Sequence, residues 1–377
     1  MEPVKELISP LILTVLSMVI AVNPAASQEV RTPEIPFNPE TYVVYKTENP
    51  LAIDGDLSKQ AWKKAEWTSL FVDIRGGDYP APRLDTRVKM LWDDDYFYFA
   101  AKLEEPHIWA TKTERDAVIY MDNNFEIFID PNGDTHNYYE LEVNALGTYW
   151  DLMLTKPYRN GGRAIDAWDI KGLKIGIELQ GTINNPSDMD VGWTVEIAIP
   201  WNVLLEATLD GMPADGTQWR VAFSRVQWQT EVIDGEYIKL KDPLTGRDLP
   251  EDNWVWSPQG LVNMHFPEMW GFVQFTEIFA GEGKVLFKQN PDERYKWLLR
   301  KLYYAQQEYR INQGEYASDK ESLNYRGIVK NLFGDEAPPP NITMQVLDNH
   351  YIIRLQPENM ETNFYIRSDS KVWKTHR

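Results

Sequence analysis

The chain has 377 residues, no cysteine and a formal charge of −19. Such an acidic chain repels nucleic acid and anionic membranes, which need clustered Lys and Arg, and it disfavours polyanionic glycans while leaving neutral sugars open. The missing cysteines exclude disulfides, thiolate metal sites and cysteine nucleophiles.

Residues 1–27 read as a secretory signal. Leu11 to Val22 is an apolar run too short to span a bilayer comfortably, and Ala25-Ala26-Ser27 offers small residues for cleavage before Gln28. Glu2 and Glu6 offset Lys5, so an uncleaved anchor is the alternative. The expected location is secreted, periplasmic or cell-surface. Residues 28–41, rich in proline, form an extended lead-in. From Tyr42 the apolar pattern has period two. Val88, Met90 and Trp92 alternate with Lys89 and Leu91, three aspartates turn the chain, and Phe97, Phe99, Ala101 and Leu103 then share one face. This predicts a β-hairpin. Further strands are expected at Phe125–Asp130, Tyr138–Asn144, Thr148–Leu154, Leu173–Leu179, Trp193–Ile199, Trp219–Trp228 and Gly271–Phe275. Many short strands without alternating helices indicate a mainly β fold, an antiparallel β-sandwich or jelly roll over residues 42–281.

The pattern changes after Gly281. Leu298, Leu302, Ala305 and Tyr309 recur at helical spacing within Asp292 to Asn312, and Gly314 ends the run. Strand-like runs follow at Ile342–Leu347, Tyr351–Leu355 and Phe364–Arg367. Residues 291–377 therefore read as a small C-terminal α+β appendage.

Two alternating strands carry the chemistry. Phe125, Ile127 and Ile129 should face a core, leaving Glu126, Phe128 and Asp130 on the other side. Tyr139, Leu141 and Val143 likewise oppose Glu140, Glu142 and Asn144. If the strands pair, both polar sets line one sheet face, where carboxylates and amides can bond sugar hydroxyls beside a stacking ring. A solvated outer face is the plainer alternative. Asp130, Asn132 and Asp134 alternate as oxygen ligands do in calcium loops. Yet Gly133 falls at the fourth position rather than the sixth, and Leu141 stands where a twelfth-position Glu is required. A polar hairpin loop competes with calcium there.

Four stretches in order carry a resemblance: Ile53-Asp54-Gly55-Asp56 through Trp62, Val88 to Ala100 around three aspartates, Asn123-Asn124-Phe125-Glu126 through Asp130, and Trp193 to Trp201. The set resembles the family 9 carbohydrate-binding modules and their looser DOMON-like relatives over roughly Tyr42 to Phe275. The resemblance implies a sugar-binding β-sandwich without catalysis. It places a sugar-bonding Glu at Glu126 and the first ring of a two-Trp clamp at Tyr120. The second ring is sought after Trp256-Ser257-Pro258, near Met264 and His265. An expected Arg falls at Glu142, and a late-strand polar residue falls at Arg225. The implied sugar site is Tyr120, Asn123, Glu126, Glu142, Asn144, Arg225, Trp256 and His265; structural calcium is known in the family.

The expected function is non-catalytic recognition of a neutral poly- or oligosaccharide in support of polysaccharide breakdown, with a glycan-degrading enzyme as partner and no required cofactor. A glycoside hydrolase is one alternative, using Glu126 with Glu142 or Asp130 with Glu140 as a carboxylate pair. Others are a haem-binding relative using Met264 or His265, and an adhesion scaffold without a ligand. No Gly-x-Ser-x-Gly elbow or phosphate-cradling glycine loop is present.

Overall fold

The computed structural model describes residues 31–208, 211–334, 339–358 and 360–376. The leader lies outside these residues. Fifteen strands precede residue 280: β1 Thr41–Lys46, β2 Val72–Asp73, β3 Thr86–Trp92, β4 Tyr96–Glu104, β5 Asn124–Asp130, β6 Tyr138–Asn144, β7 Tyr149–Leu154, β8 Ala164–Ile165, β9 Lys174–Gln180, β10 Gly192–Pro200, β11 Gln218–Gln227, β12 Thr230–Ile233, β13 Glu236–Lys239, β14 Asp252–Val255 and β15 Gly271–Phe279. A helical turn, α1, spans Gln60–Lys64.

One hydrogen-bonded ladder runs β8-β7-β6-β5-β11-β15-β1-β3-β4-β10-β9 and folds over on itself. Its two halves face each other across a core that takes Phe125, Ile127 and Phe223 from one half and Met90, Phe99 and Ile197 from the other. This is the mainly β sandwich expected from the alternation. The N-terminal strand β1 joins the halves, pairing in parallel with both β15 and β3.

The three-aspartate turn is legible in atomic terms. Asp93 Oδ1 accepts the amides of Asp95 and Tyr96, both at 2.8 Å, and its Oδ2 accepts the Tyr98 hydroxyl at 2.6 Å. The hairpin register then sets Trp92 opposite Phe97. The Asp54-Gly55 turn is anchored from the opposite side of the sheet. Glu196 on β10 accepts the amides of Asp54 (2.9 Å) and Gly55 (2.8 Å), Lys59 Nζ (2.6 Å) and Trp62 Nε1 (2.5 Å).

Beyond the sandwich, α2 spans Trp201–Leu204, α3 Glu293–Gln313 and α4 Tyr325–Phe333, followed by β16 Asn341–Leu347, β17 His350–Gln356, β18 Thr362–Arg367 and β19 Val372–His376. The last four strands form a consecutive antiparallel sheet against α3. Gly314, in the left-handed region at φ +82°, closes α3 by donating its amide to the Arg310 carbonyl at 2.8 Å. This unit shares its core with the sandwich: Phe266 and Met269 are buried among its residues, and Phe37 of the lead-in stacks on Trp297 at 4.3 Å.

The short strands β2 and β8, strand β14 and the separate β12–β13 hairpin went unrecognised in the sequence. Strand β14 carries Trp254 and Val255 without a clear alternation and pairs with β11 and β2. The β12–β13 hairpin turns on Asp234 and Gly235, both at positive φ. That Asp-Gly pair was its available signal.

Candidate functional site

Strands β5 and β6 pair with Glu126 directly opposite Glu142 and Phe128 opposite Glu140. Since Phe125, Ile127, Leu141 and Val143 face the main core, period two places all three glutamates on the other face. On the neighbouring strands, β11 sets Ser224 opposite Glu126, and β7 sets Trp150 opposite Glu142. The face is not a solvated one. Glu126, Glu140 and Glu142 are only 4%, 6% and 2% exposed. Beside them, Phe128, Tyr138, Leu152 and Trp270 form a second apolar cluster.

These carboxylates are sparsely partnered. Glu126 Oε1 accepts the Asn124 amide at 3.0 Å, and Glu142 Oε2 accepts the Tyr120 backbone N–H at 2.8 Å. Glu140 Oε2 is buried with no hydrogen-bond partner. Burial pushes Glu126 up to about 7 and, with repulsion from Glu126, pushes Glu140 up to about 8. Burial, reinforced by Glu126 and Glu140, holds Glu142 well above the ordinary carboxylate range.

Aromatic rings border this floor. Tyr120 and Tyr158 are large exposed side chains, at 41% and 39%. Burial of its hydroxyl end and the negative field of Glu140, Asp166 and Glu142 raise Tyr158 to about 12. Its ring meets His265 edge-to-face at 4.5 Å, and His265 Nδ1 lies 3.0 Å from the Tyr138 hydroxyl. Burial and the Arg159 charge keep His265 neutral, down to about 3. Both rings are fixed through their backbones. Trp228 Nε1 donates to the Tyr120 carbonyl at 2.9 Å. Arg159, next to Tyr158, bonds the His265 carbonyl (2.7 Å) and Glu268 (2.6 Å), and Glu268 also accepts the Tyr304 hydroxyl (2.5 Å). Helix α3 therefore braces the wall that carries Tyr158.

Of the residues expected at the site, Tyr120, Glu126, Glu142 and His265 come together around one floor. Others do not. Arg225 follows Ser224 on β11 and so projects to the opposite face, where it bonds Glu105, Thr86 and Gln227 in a buried network. Trp256 is 1% exposed and packs 5.6 Å from Phe223 in the main core. Asn123 accepts the Trp228 amide and donates to Glu105, stitching β5 to the end of β11. Asn144 shapes the β6–β7 turn by accepting the amides of Leu146 and Thr148. Each is a structural residue by its contacts.

The proposed calcium ligands also have other partners. Asp130 accepts Gly133 and Thr135 amides, Asn132 bonds Ala207 and the Asp134 amide, and Asp134 pairs with Lys371 at 3.1 Å. Among the described residues no group of three or more His, Cys, Asp or Glu is arranged to hold a metal. Met264, weighed as a haem ligand, is buried in the second apolar cluster.

A separate cavity of about 380 Å³ lies behind the Tyr158 wall, lined by Arg75, Tyr79, Arg159, Leu261 and Phe266. Two of its cations are already engaged, Arg75 with Asp73 and Arg159 with Glu268. Its exposed ring, Tyr79, is covered by the Arg75 guanidinium at 3.7 Å, and the acidic floor with its unpartnered buried oxygen is taken as the candidate.

The floor unites buried acceptors with aromatic faces, the two requirements for holding a pyranose. The description "Carbohydrate family 9 binding domain-like" belongs to the family model that matches residues 53–247, just over half of the chain. The chain belongs to that family. Solved structures give looser likenesses. A candidate carbohydrate-binding protein from Bacteroides uniformis matches at 19% identity and a TM-score of 0.46, over 63% of this chain and 100% of its own. A family 9 carbohydrate-binding module from Caldicellulosiruptor kristjanssonii, solved with cellotriose, matches at 17% identity and 0.39, over 66% of this chain and 100% of its own. The same organism's module with glucose gives 18% and 0.40, over 67% and 100%. None of the curated proteins compared matches the chain.

Within this family 9 chain, three features of the floor escaped sequence reading. Tyr158 lies in a short loop turn after β7 with no motif of its own, and the second ring was sought near residue 264 instead. Ser224 and Trp150 join only through strand register, which no local pattern displays.

Proposed function

We propose that this protein is a secreted, non-catalytic carbohydrate-binding protein that holds a pyranose over Glu126, Glu140 and Glu142, with Tyr120 and Tyr158 against its faces. The observation that carries this reading is the unpartnered, buried Glu140 oxygen beneath two exposed tyrosines in a family 9 sandwich. Sugar hydroxyls would donate to the floor while C–H faces cover the rings. The leader-like first 27 residues support secretion to the periplasm, cell surface or medium, and sugar binding outside the cell suits a helper for a separate polysaccharide-degrading enzyme.

The arrangement favours binding over hydrolysis. A glycosidase needs two carboxylates flanking the scissile bond. Here all three project from one sheet face, beneath a ligand rather than around its bond. A glycan-array screen followed by calorimetry, with and without calcium, tests the reading. The expected result is a sugar hit that weakens in Glu126→Ala, with no release of reducing ends on incubation and no Soret band in the visible spectrum. The absence of any hit across plant, fungal and host glycans would retire the sugar-binding reading in favour of a scaffold.

A further inference from the structure

The floor gathers three buried carboxyl groups that hold their protons for want of a cation, a want that a sugar hydroxyl does not supply. Glu126 comes from β5 and Glu140 and Glu142 from β6, all more than nine-tenths buried. The groups that face them add to the negative field: Glu251, preceding β14, acts on Glu126, and Asp166, after β8, acts on Glu140. The cations on adjoining elements are committed elsewhere. Arg159 is paired with Glu268, Lys239 lies 3.2 Å over the Trp228 ring with Asp248, Asp122 and Glu251 around it, and His265 is neutral. Among the described residues, no Lys, Arg or His forms an ion pair with any of the three glutamates.

Two buried polar atoms on this face lack a hydrogen-bond partner. Glu140 Oε2 has no partner. The Ser224 hydroxyl stands opposite Glu126, near enough to favour its ionised form, yet it makes no hydrogen bond of full geometry. Buried polar atoms are rarely left unpaired, and unpaired buried carboxylates are costlier still. A ligand with several donors on one positive centre would satisfy the oxygens and the charge together; an ammonium has three such donors.

We propose that the ligand is an amino sugar, a pyranose bearing a protonated primary amine, whose ammonium sits among Glu126, Glu140 and Glu142 while its ring lies against Tyr120 and Tyr158. This rests on the sugar-site reading above and narrows it to a ligand class. The chain's global acidity admits a neutral sugar, whereas three carboxyl groups that can ionise around an ammonium favour a cationic one. N-acetylation would remove the charge and add bulk over the floor, so the acetylated sugar should be rejected.

The test uses three β-1,4-linked trimers that differ only at the second carbon: glucosamine, N-acetylglucosamine and glucose. Their affinities for the full chain are measured by calorimetry at pH 6, in two buffers of different ionisation enthalpy. The glucosamine trimer should bind about ten-fold tighter than either neutral trimer, the worth of one charge-assisted hydrogen bond. Its binding should also release protons, because the ammonium favours ionised carboxylates. In Glu140→Gln and Glu142→Gln the ratio of glucosamine to glucose affinity should fall toward one. Proton release in the unmodified protein keeps the test open if a variant does not fold. Equal or tighter binding of a neutral trimer would overturn the amino-sugar inference and leave the sugar site standing. Failure of all three to bind would overturn this inference, while the sugar site falls only if the glycan screen is empty as well.

Discussion

Glu196 and Glu140 are both buried glutamates on strands of the same sandwich, and they stand in opposite situations. Glu196, with no exposed surface, accepts four donors: two backbone amides of the Asp54-Gly55 turn, Lys59 and the Trp62 indole. Glu140 has a buried oxygen with no donor and further carboxylates nearby. The first is a structural anchor whose energetic cost of burial is offset inside the fold. The second is the group that the proposed sugar site would use. Partner count, not burial or conspicuousness in sequence, is what distinguishes the two glutamates.

The sharpest way to break this comparison is to remove the anchor. Glu196→Ala leaves the Asp54 and Gly55 amides and the Trp62 indole without their acceptor, while Lys59 keeps Asp54, and it should destabilise by about 3 kcal/mol; thermal and urea unfolding would show it. Gly55→Ala attacks the same anchor from the other side. Gly55 sits at φ +93°, and an added Cβ would lie 2.5 Å from backbone atoms of Ile177 and Glu178. A loss of similar size is expected, since neither neighbour is a flexible side chain.

The floor should respond with the opposite sign. The folded values of Glu126 and Glu140 rise from 4.5 to about 7 and about 8, so the folded state holds protons that the unfolded chain has released. Their contribution to stability is therefore fullest below pH 4.5 and is lost as pH rises past the folded values. Each fully shifted group can contribute a slope of up to about 1.4 kcal/mol per pH unit. Unfolding of the wild type and of Glu140→Gln at pH 5 and pH 8.5 should show a shallower loss in the variant, which should be the more stable protein at the higher pH. A smaller effect is expected from Tyr304→Phe. It removes one hydrogen bond to Glu268, costs about 1 kcal/mol of stability, and should loosen Tyr158 through Arg159, weakening sugar binding by less than a deletion of the ring itself.

How much of this was legible beforehand follows from the range of each interaction. Strand alternation around Phe125–Asp130 and Tyr138–Asn144 is local, and it correctly put Glu126, Glu140 and Glu142 on one face. The helical stripe from Tyr295 to Tyr309 is local too, and α3 lies where it predicts. Arg225 failed for a reason parity could have exposed. Phe223 is a core residue two positions earlier, so Arg225 must share its face and cannot join Glu126. Trp256 sits in a stretch without alternation, where sequence alone does not assign a face. Tyr158 reaches the floor because Arg159 is tied to Glu268 and α3 more than a hundred residues away, and no local pattern records such a contact.

The central claim is that ligand meets this protein between Tyr120 and Tyr158. The most direct measurement is the affinity of the tightest sugar from the glycan screen for wild type, Tyr120→Ala and Tyr158→Ala, with melting temperatures taken alongside. Both variants should bind about ten-fold more weakly or worse, as expected for losing a stacked anchor worth more than 1.4 kcal/mol, while melting as the wild type does because both rings are exposed. Wild-type affinity in both variants would contradict the account and move the sugar to another face of the sandwich.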